Sequence, residues 1–105
     1  MERGDLVTVA VSGDYRKPRP ALVIQTDHLP ETDSVLVCLL TTTIRDAPLF
    51  RFPLRATGLA QPSQVVVDKI MAVRRDRCGA RIGKVDPAAM LELNRLLTFV
   101  VGATG

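Results

Sequence analysis

The stretch SVLVCLLTTT, residues 34–43, is the segment that most strongly indicates the fold. Its first part is an almost continuous run of Val and Leu, which is typical of a strand buried on both of its faces. Its end is hydroxylated instead, at Thr41, Thr42 and Thr43. A central strand of this kind predicts a sheet with an aliphatic core, and its hydroxylated end is a natural place for chemistry.

Segments on both sides of this strand also have the length and composition of strands. DLVTVAV, residues 5–11, ends at an SGD turn. In PALVIQT, residues 20–26, Pro20 stands at the first strand position, where its missing N–H does little harm. Three further β-rich segments follow, namely LFRFPLR (49–55), QVVVDKIMAV (64–73) and GARIGKV (79–85). LFRFPLR alternates and contains a proline, so it is predicted to be an edge strand.

A single amphipathic helix is predicted at the C-terminus. Asp86 is a suitable N-cap, Pro87 tolerates the first helical position, and Gly102 supplies the stop. The apolar side chains at spacings of three and four are those of Met90, Leu93, Leu97 and Val100. The sequence therefore predicts a mostly β (α+β) fold, a small SH3-like antiparallel barrel or strongly curved sheet with a C-terminal amphipathic helix.

Length and composition are those of one ordered globular domain that spans residues 1–105. Apolar residues make up 47% of the chain and charged residues 24%, and the sequence contains no low-complexity tract. A chain of this length forms one modest core. Trp is absent and only 4% of the residues are aromatic, so the core is expected to consist of aliphatic side chains.

Positive charge is concentrated in two places, although the net charge of +3 is mild. Arg16, Lys17 and Arg19 form one cluster. The segment 69–84 holds six cations, which are Lys69, Arg74, Arg75, Arg77, Arg81 and Lys84. If the clusters converge in space they form a footprint for phosphates, and if they do not they are solvated faces.

Several classes of activity lack their motifs in this sequence. No phosphate-cradling GxxxxGK[ST], GxGxxG, HExxH or GxSxG occurs, and His28 is the only histidine. Cys38 and Cys78 stand apart with no CxxC, so we expect no metal site and no cofactor, and we expect Cys38 to be a buried apolar residue. No signal sequence or membrane-spanning run is seen, which favours a cytoplasmic protein.

The remaining candidates for chemistry stand at predicted strand ends. They are Arg19, Thr41, Thr42, Asp68 and Lys69. Arg19 could bind a phosphate or pack its stem across a sheet edge, and the threonines could be ordinary strand residues. Asp68 could be a functional acid or could pair with a neighbouring cation. Spacing alone leaves these alternatives open.

The order of four motifs resembles the MazF/PemK family of toxin endoribonucleases. ERGDLVTV (2–9) is similar to the family's opening R-G-D-[IL]-[VW] strand, and RKPRPALVIQTD (16–27) to its basic loop ending in R-P-[AV]-[LV]-V. VLVCLLTTT (35–43) is similar to a third strand ending in [IL]-T-[ST], and QVVVDKI (64–70) to a later D-x-[IV] element. The closing GARIGKVDPAAMLELNRLL (79–97) is similar to the family's last strand and helix. The resemblance covers nearly the whole chain and implies a CcdB/PemK-like fold.

This resemblance implies a toxin of a type II toxin–antitoxin system. It would act as a homodimer that cleaves single-stranded RNA at specific sequences, through the 2′-hydroxyl and without a metal or cofactor. A cognate acidic antitoxin would block the site, and operator DNA would be bound only through that antitoxin. CcdB-like gyrase poisons share the fold, so gyrase inhibition is an alternative, as is a non-catalytic nucleic-acid-binding barrel.

The family motifs assign roles to individual residues of this chain. The motif arginine corresponds to Arg19, the strand-end threonine to Thr41, and the acidic position after the later strand to Asp68. Arg19 is suited to face the phosphate oxygens, Thr41 to hydrogen-bond a non-bridging oxygen, and Asp68 to orient the 2′-hydroxyl or read a base edge. Residues expected to bind the RNA are Tyr15, Arg16, Lys17, Thr42 and Lys69.

Two departures from the family pattern bear on activity. The loop SGDYRKPRP (12–20) is shorter than in many members, so the RNA sequence that they recognise cannot be transferred. PemK-like members carry a second arginine two positions before the motif Asp, where this chain has Val66. A second cation would then have to come from Lys17, Lys69 or an arginine of the other subunit.

Aromatic side chains that could stack on bases are few. Tyr15, in the basic loop, is the best candidate. Phe99 is expected to pack in the core under the helix. Phe50 and Phe52 share one face of the edge strand and could form a dimer contact or part of the core.

Overall fold

The computed structural model describes residues 1–11, 17–56 and 58–103 of the chain. Seven β-strands are followed by one α-helix. The elements are β1 (Asp5–Val9), β2 (Arg19–Val23), β3 (Ser34–Thr41), β4 (Arg51–Leu54), β5 (Ser63–Val66), β6 (Met71–Arg74), β7 (Cys78–Lys84) and α1 (Pro87–Val100). A single 3-10 turn, Arg75–Arg77, links β6 to β7.

The first three strands form the antiparallel centre of the sheet. Leu6 pairs with Leu22 and Leu22 with Cys38, and all three side chains are fully buried. Because side chains alternate between faces along a strand, their neighbours Val7, Ala21 and Leu39 point to the opposite face. The Val-rich strands thus bury both faces along most of their length, as the sequence predicts, although Leu36 of β3 is exposed.

Two core clusters lie on these two faces. The cluster around Leu6, Leu22 and Cys38 includes the helix residues Met90 and Leu93, so α1 covers this face. The other cluster consists of side chains from the strands alone, namely Val7, Val9, Ala21, Val23, Val35, Val37 and Val73. Since no helix in the described part of the chain covers this second face, the buried side chains there indicate that the strands curve around it.

The sheet has the strand order β4-β5-β3-β2-β1-β7, and β6 pairs with β3 alongside this path. The long strand β3 pairs with β6 through residues 34–37 and with β5 through Leu40 and Thr41. No pairing in the described part of the chain joins β7 to β4, so the sheet is curved and open. The predicted curved antiparallel sheet is confirmed, and its barrel is not closed.

The C-terminal helix begins and ends as predicted. The Asp86 side chain accepts a hydrogen bond of 2.8 Å from the Ala89 N–H, which satisfies one of the unpaired donors of the first turn. Gly102 adopts φ +75°, a left-handed conformation that ends the helix. The prediction for Phe99 is wrong: it is 51% exposed, because it faces away from the stripe formed by Met90, Leu93 and Leu97.

Strand boundaries differ from the predictions where the backbone changes partner. β2 begins one residue earlier than predicted, at Arg19, and ends at Val23. The segment 64–73 is divided into β5 and β6 by an exposed turn at Asp68 and Lys69. β4 begins only at Arg51 and is confirmed as an edge strand, since it pairs with β5 alone.

Asp5 explains the R-G-D sequence at the start of β1. The Asp5 side chain is 6% exposed, and its Oδ2 accepts a hydrogen bond of 2.8 Å from the Glu2 N–H. Its Oδ1 lies 3.6 Å from Arg81 Nη1 and 3.9 Å from Lys84 Nζ, both on β7. The acid therefore fixes the N-terminal turn and ties it to the last strand. In the part of the chain that the structure describes, no helix has the length and apolar character needed to cross a membrane.

Candidate active site

The site is formed where β2 and β3 stop pairing. The last Cα partners of this ladder are Ala21 and Leu39. Continuing the antiparallel register by two residues places Arg19 opposite Thr41. Pro20 stands between, and its missing N–H removes a donor that would have extended the ladder. The two strand ends separate there and leave an opening between Arg19 and Thr41.

This opening consists of two adjoining recesses. The larger, of about 410 Å³, is a groove lined by Arg19, Leu39, Thr41, Arg51, Val66, Lys69, Ile70 and Met71. The smaller, of about 230 Å³, is lined by Arg19, Pro20, Leu40, Thr41, Thr42 and Ser63. Arg19 and Thr41 line both, so they stand at the junction of the two recesses. Three cations and no carboxylate line the groove, which suits an anionic ligand.

Arg19 is exposed and unengaged at this junction. The Arg19 side chain makes no hydrogen bond and no ion pair with the described residues. Its backbone is held in β2 opposite Val9. Pro18 and Pro20 restrict the backbone on either side. The guanidinium is therefore anchored by its backbone while its five donors remain available to a ligand.

Thr41 is the last residue of β3, and its hydroxyl oxygen already accepts a hydrogen bond. Its Oγ1 accepts a hydrogen bond of 3.1 Å from the Thr43 N–H. A hydroxyl oxygen that accepts in this way can still donate its own hydrogen. The arrangement leaves that hydrogen for an acceptor in the groove. Thr42, the next residue, lines the smaller recess only.

Lys69 and Asp68 are neighbours in the turn after β5, and only Lys69 lines the groove. Burial, and to a lesser extent the nearby Asp68 carboxylate, raise the pKa of the Cys38 thiol to about 11. Cys38 belongs to the core on the helix side, whereas Leu39 lines the groove. Cys38 is fully buried, which confirms the prediction for this residue.

Arg51 is the groove residue that the sequence reasoning missed. Its Nη1 donates to the Thr43 carbonyl and to Gln64 Oε1, each at 3.1 Å. Its Nε is buried with no hydrogen-bond partner in the described structure, a condition that costs about 1–3 kcal/mol. Arg51 is the Cα partner of Val66 across β4 and β5, so a cation stands beside the position where PemK-like members carry an arginine. An isolated arginine in an alternating edge strand gave no signal of this placement.

Of the predicted binding residues in the loop before β2, the structure describes only Lys17. Lys17 is exposed and lines neither recess. Tyr15 and Arg16 lie outside the described residues. Phe52 packs against the helix-side core, and Phe50 is 39% exposed just before β4.

Most cations of the basic segment 69–84 form ion pairs or hydrogen bonds within the chain. Arg74 forms an exposed ion pair of 2.7 Å with Asp76, and Arg75 donates to the carbonyls of Leu29 and Thr32. Arg81 and Lys84 lie beside Asp5. Only Lys69 of this cluster reaches the groove with Arg19. Among the described residues, the two basic clusters thus meet in the groove only through Arg19 and Lys69.

The described residues contain no group of three or more metal-ligating side chains.

Comparisons with known proteins identify the family. Residues 2–101 match the family described as PemK-like, MazF-like toxin of type II toxin-antitoxin system. A Mycolicibacterium smegmatis protein named probable endoribonuclease MazF is 40% identical over 109 residues, covering 100% of both chains.

Solved structures agree in fold over nearly the whole chain. A mycobacterial endoribonuclease in complex with its cognate antitoxin is 26% identical, with a TM-score of 0.78 over 97% of this chain and 95% of that one. The Mycobacterium tuberculosis toxin MazF-mt6 has a TM-score of 0.82 at 23% identity, over 93% of this chain and 96% of that one. At that identity the second likeness concerns the fold alone.

Proposed function

Because this chain belongs to the PemK-like, MazF-like toxins of type II toxin–antitoxin systems, we propose that this endoribonuclease cleaves single-stranded RNA at specific sequences, through the RNA 2′-hydroxyl and without a metal. The observation that carries the proposal is the meeting of Arg19 and Thr41 at the open end of β2 and β3, in a groove lined by cations and no carboxylate. Such a groove suits an RNA phosphate.

The reaction needs no activated water. The 2′-oxygen attacks the adjacent phosphorus, the bond to the 5′-oxygen breaks, and a 2′,3′-cyclic phosphate and a 5′-hydroxyl end are formed. The 2′-hydroxyl gives up one proton to a base, and the leaving 5′-oxygen takes one from an acid. Negative charge accumulates on the non-bridging oxygens in the transition state, which is where fixed cations and donors lower the barrier.

Arg19 and Thr41 supply this stabilisation. The Arg19 guanidinium stays charged at any ordinary pH and can bind two phosphate oxygens at once. The Thr41 hydroxyl, already accepting from Thr43, donates its hydrogen to a third contact. Asp68 is proposed to orient the 2′-hydroxyl or to read a base edge, from a turn that borders the groove through Lys69.

Further contacts hold the strand along the site. Lys69 lies in the groove and Thr42 in the adjoining recess, where each can meet a flanking nucleotide. Lys17, Arg16 and Tyr15 belong to the loop between β1 and β2, and we propose that they extend the RNA-binding surface beyond Arg19.

The partners follow from the toxin family and from charge. We propose a homodimer and a cognate acidic antitoxin whose disordered segment occupies the cationic groove, with operator DNA bound through the antitoxin. The related complex of an endoribonuclease with its cognate antitoxin supports this assignment. We propose a cytoplasmic location, where an RNA substrate and an antitoxin partner would be met. The name of the M. smegmatis relative favours this function over gyrase inhibition.

The test uses purified full-length protein and a mixed-sequence single-stranded RNA in excess EDTA. We expect cleavage at a small set of sequences, with fragments that carry 2′,3′-cyclic phosphate ends by mass spectrometry. A single 2′-deoxy substitution at the cleaved nucleotide should abolish cutting at that site, because the attacking oxygen is gone. A folded protein that leaves all sequences intact, or that cuts the deoxy-substituted site, would refute the proposed reaction.

A further inference from the structure

We propose that Arg51 is a second phosphate-binding residue of the groove and that Gln64 is the neutral side chain that positions it. The inference rests on the proposed function and adds a specific residue pair to it. Arg19 enters the groove from β2, on one side of Thr41, and Arg51 enters from β4, on the other. An RNA strand that crosses Thr41 would therefore have an arginine on each side.

Strand register explains why these side chains share one face. Gln64 of β5 is the Cα partner of Thr41 in β3 and of Pro53 in β4. Arg51 is two residues from Pro53 along β4, and alternate residues of a strand point to the same face. Arg51 therefore projects on the side that carries Thr41, and the shared groove lining agrees with this.

Gln64 is built into the structure as a clamp. The residue is 6% exposed, and its Oε1 accepts from Arg51 Nη1 and from the Arg45 N–H, both at 3.1 Å. Its Nε2 donates to the Arg45 carbonyl at 2.9 Å. With both ends of the amide engaged, Gln64 cannot turn away, and it holds Arg51 in one orientation. The Thr43 carbonyl adds a second acceptor for the same Arg51 nitrogen.

The clamp leaves the Arg51 charge unneutralised. Arg74 and Arg81 each have a carboxylate oxygen within 4 Å, whereas no carboxylate in the described structure is that close to Arg51. Arg75 is also half-buried without a carboxylate, but its Nε donates to the Thr32 carbonyl, whereas the Nε of Arg51 has no partner in the described structure. Gln64 supplies an acceptor of the right shape without a negative charge, so the guanidinium keeps its full attraction for a phosphate.

Two of the three side-chain nitrogens of Arg51, Nε and Nη2, have no hydrogen-bond acceptor in the described structure. All the side-chain hydrogen bonds of Arg51 in the described structure involve Nη1, and its Nε is buried without a partner. Nη2 is then the donor that a phosphate oxygen can engage from the groove. Because the side chain is already held by two acceptors, little rotamer freedom is lost when the ligand binds.

The test measures the affinity of purified variants for a single-stranded RNA made uncleavable by 2′-deoxy substitution at the cut site. Arg51→Met keeps the length of the side chain and removes its charge. Arg51→Lys keeps the charge but not the fork. Gln64→Glu keeps the acceptor for Arg51 and cancels its charge. Arg95→Met, on the outer surface of α1 beside Glu92, removes one positive charge away from the groove and serves as the matched control.

We expect Arg51→Met and Gln64→Glu to weaken binding by about five- to tenfold, Arg51→Lys to restore part of it, and Arg95→Met to leave it unchanged. The Gln64→Glu result separates the two roles, because the carboxylate keeps the acceptor for Arg51 while it neutralises the charge, and urea denaturation reports separately the loss of the hydrogen bond to the Arg45 carbonyl. Wild-type affinity for both Arg51→Met and Gln64→Glu overturns the inference while leaving the nuclease in place. A folded wild type that neither binds nor cleaves RNA overturns the proposed function and this inference with it.

Discussion

Cations occupy two regions of the sheet, and the two regions differ in whether acidic residues lie beside those cations. At the β1–β7 side, Arg81 and Lys84 flank the buried carboxylate of Asp5, and Lys84 also forms an ion pair of 3.0 Å with Glu2. At the open end of β2 and β3, no acidic residue lines the recesses that hold Arg19, Lys69 and Arg51. The first region neutralises its charge within the chain, and the second leaves it for a ligand.

This difference distinguishes cations that stabilise the fold from cations that remain available to bind a ligand. The Glu2 carboxylate raises the pKa of Lys84 through a hydrogen bond and through its charge, as expected of a lysine that already has a partner. Arg19 has none among the described residues. Position along the sequence does not distinguish the two groups, since Lys69 and Lys84 belong to the same basic segment. The distinction arises from the acids that the fold places beside them.

The largest effect is expected from Arg19. Arg19→Ala should lower the single-turnover cleavage rate on the order of 10²–10³-fold, because a fixed donor to the developing charge is lost. Its melting temperature should stay close to that of the wild type, since Arg19 has no partner to lose in the described structure. Arg81→Ala is the matched control and should cleave normally. Equal losses in both variants would show that the two regions do not differ as described.

The reverse pattern is expected for Asp5. Asp5→Ala removes a buried acceptor from the Glu2 N–H and leaves Arg81 without its acid, whereas Lys84 keeps its ion pair with Glu2. We expect the free energy of unfolding to fall by about 2 kcal/mol, measured by urea denaturation. Asp5→Asn, which keeps an acceptor for the N–H, should lose less. Below its melting temperature Asp5→Ala should retain the wild-type cleavage rate, and a catalytic loss as large as that of Arg19→Ala would contradict this separation of roles.

The sequence predicted the fold well because its signals are local. The Val-rich run from 35 to 40, the Asp86-Pro87 start and the Gly102 stop each encode their own element. The prediction that Phe99 packs in the core was wrong, because the helix leaves some of its apolar side chains exposed. The sequence left a barrel and a strongly curved sheet as alternatives, since the choice between them depends on pairing between distant strands.

The candidate site was predictable only in part, for the same physical reason. Arg19 and Thr41 carry motif signals, and the structure brings them together. Arg51 lies between two phenylalanines in an edge strand, and only its register with β5 places it beside the same groove. Asp68 and Lys69 are adjacent in sequence, yet only Lys69 lines the groove, a difference that the sequence does not encode. The roles assigned to these residues stay predictions until variants are measured.

The most direct test of the central claim is the salt dependence of RNA binding. Affinity for an uncleavable 2′-deoxy-substituted strand would be measured over a range of salt concentrations for the wild type, Arg19→Ala and Arg81→Ala. If Arg19 contacts a phosphate, its removal should reduce the slope of log K against log salt by about 0.7, as expected for one contact to a single strand. Arg81→Ala should keep the wild-type slope. An unchanged slope for Arg19→Ala, or an equal reduction for Arg81→Ala, would contradict the claim that the unneutralised cations of the groove bind the RNA.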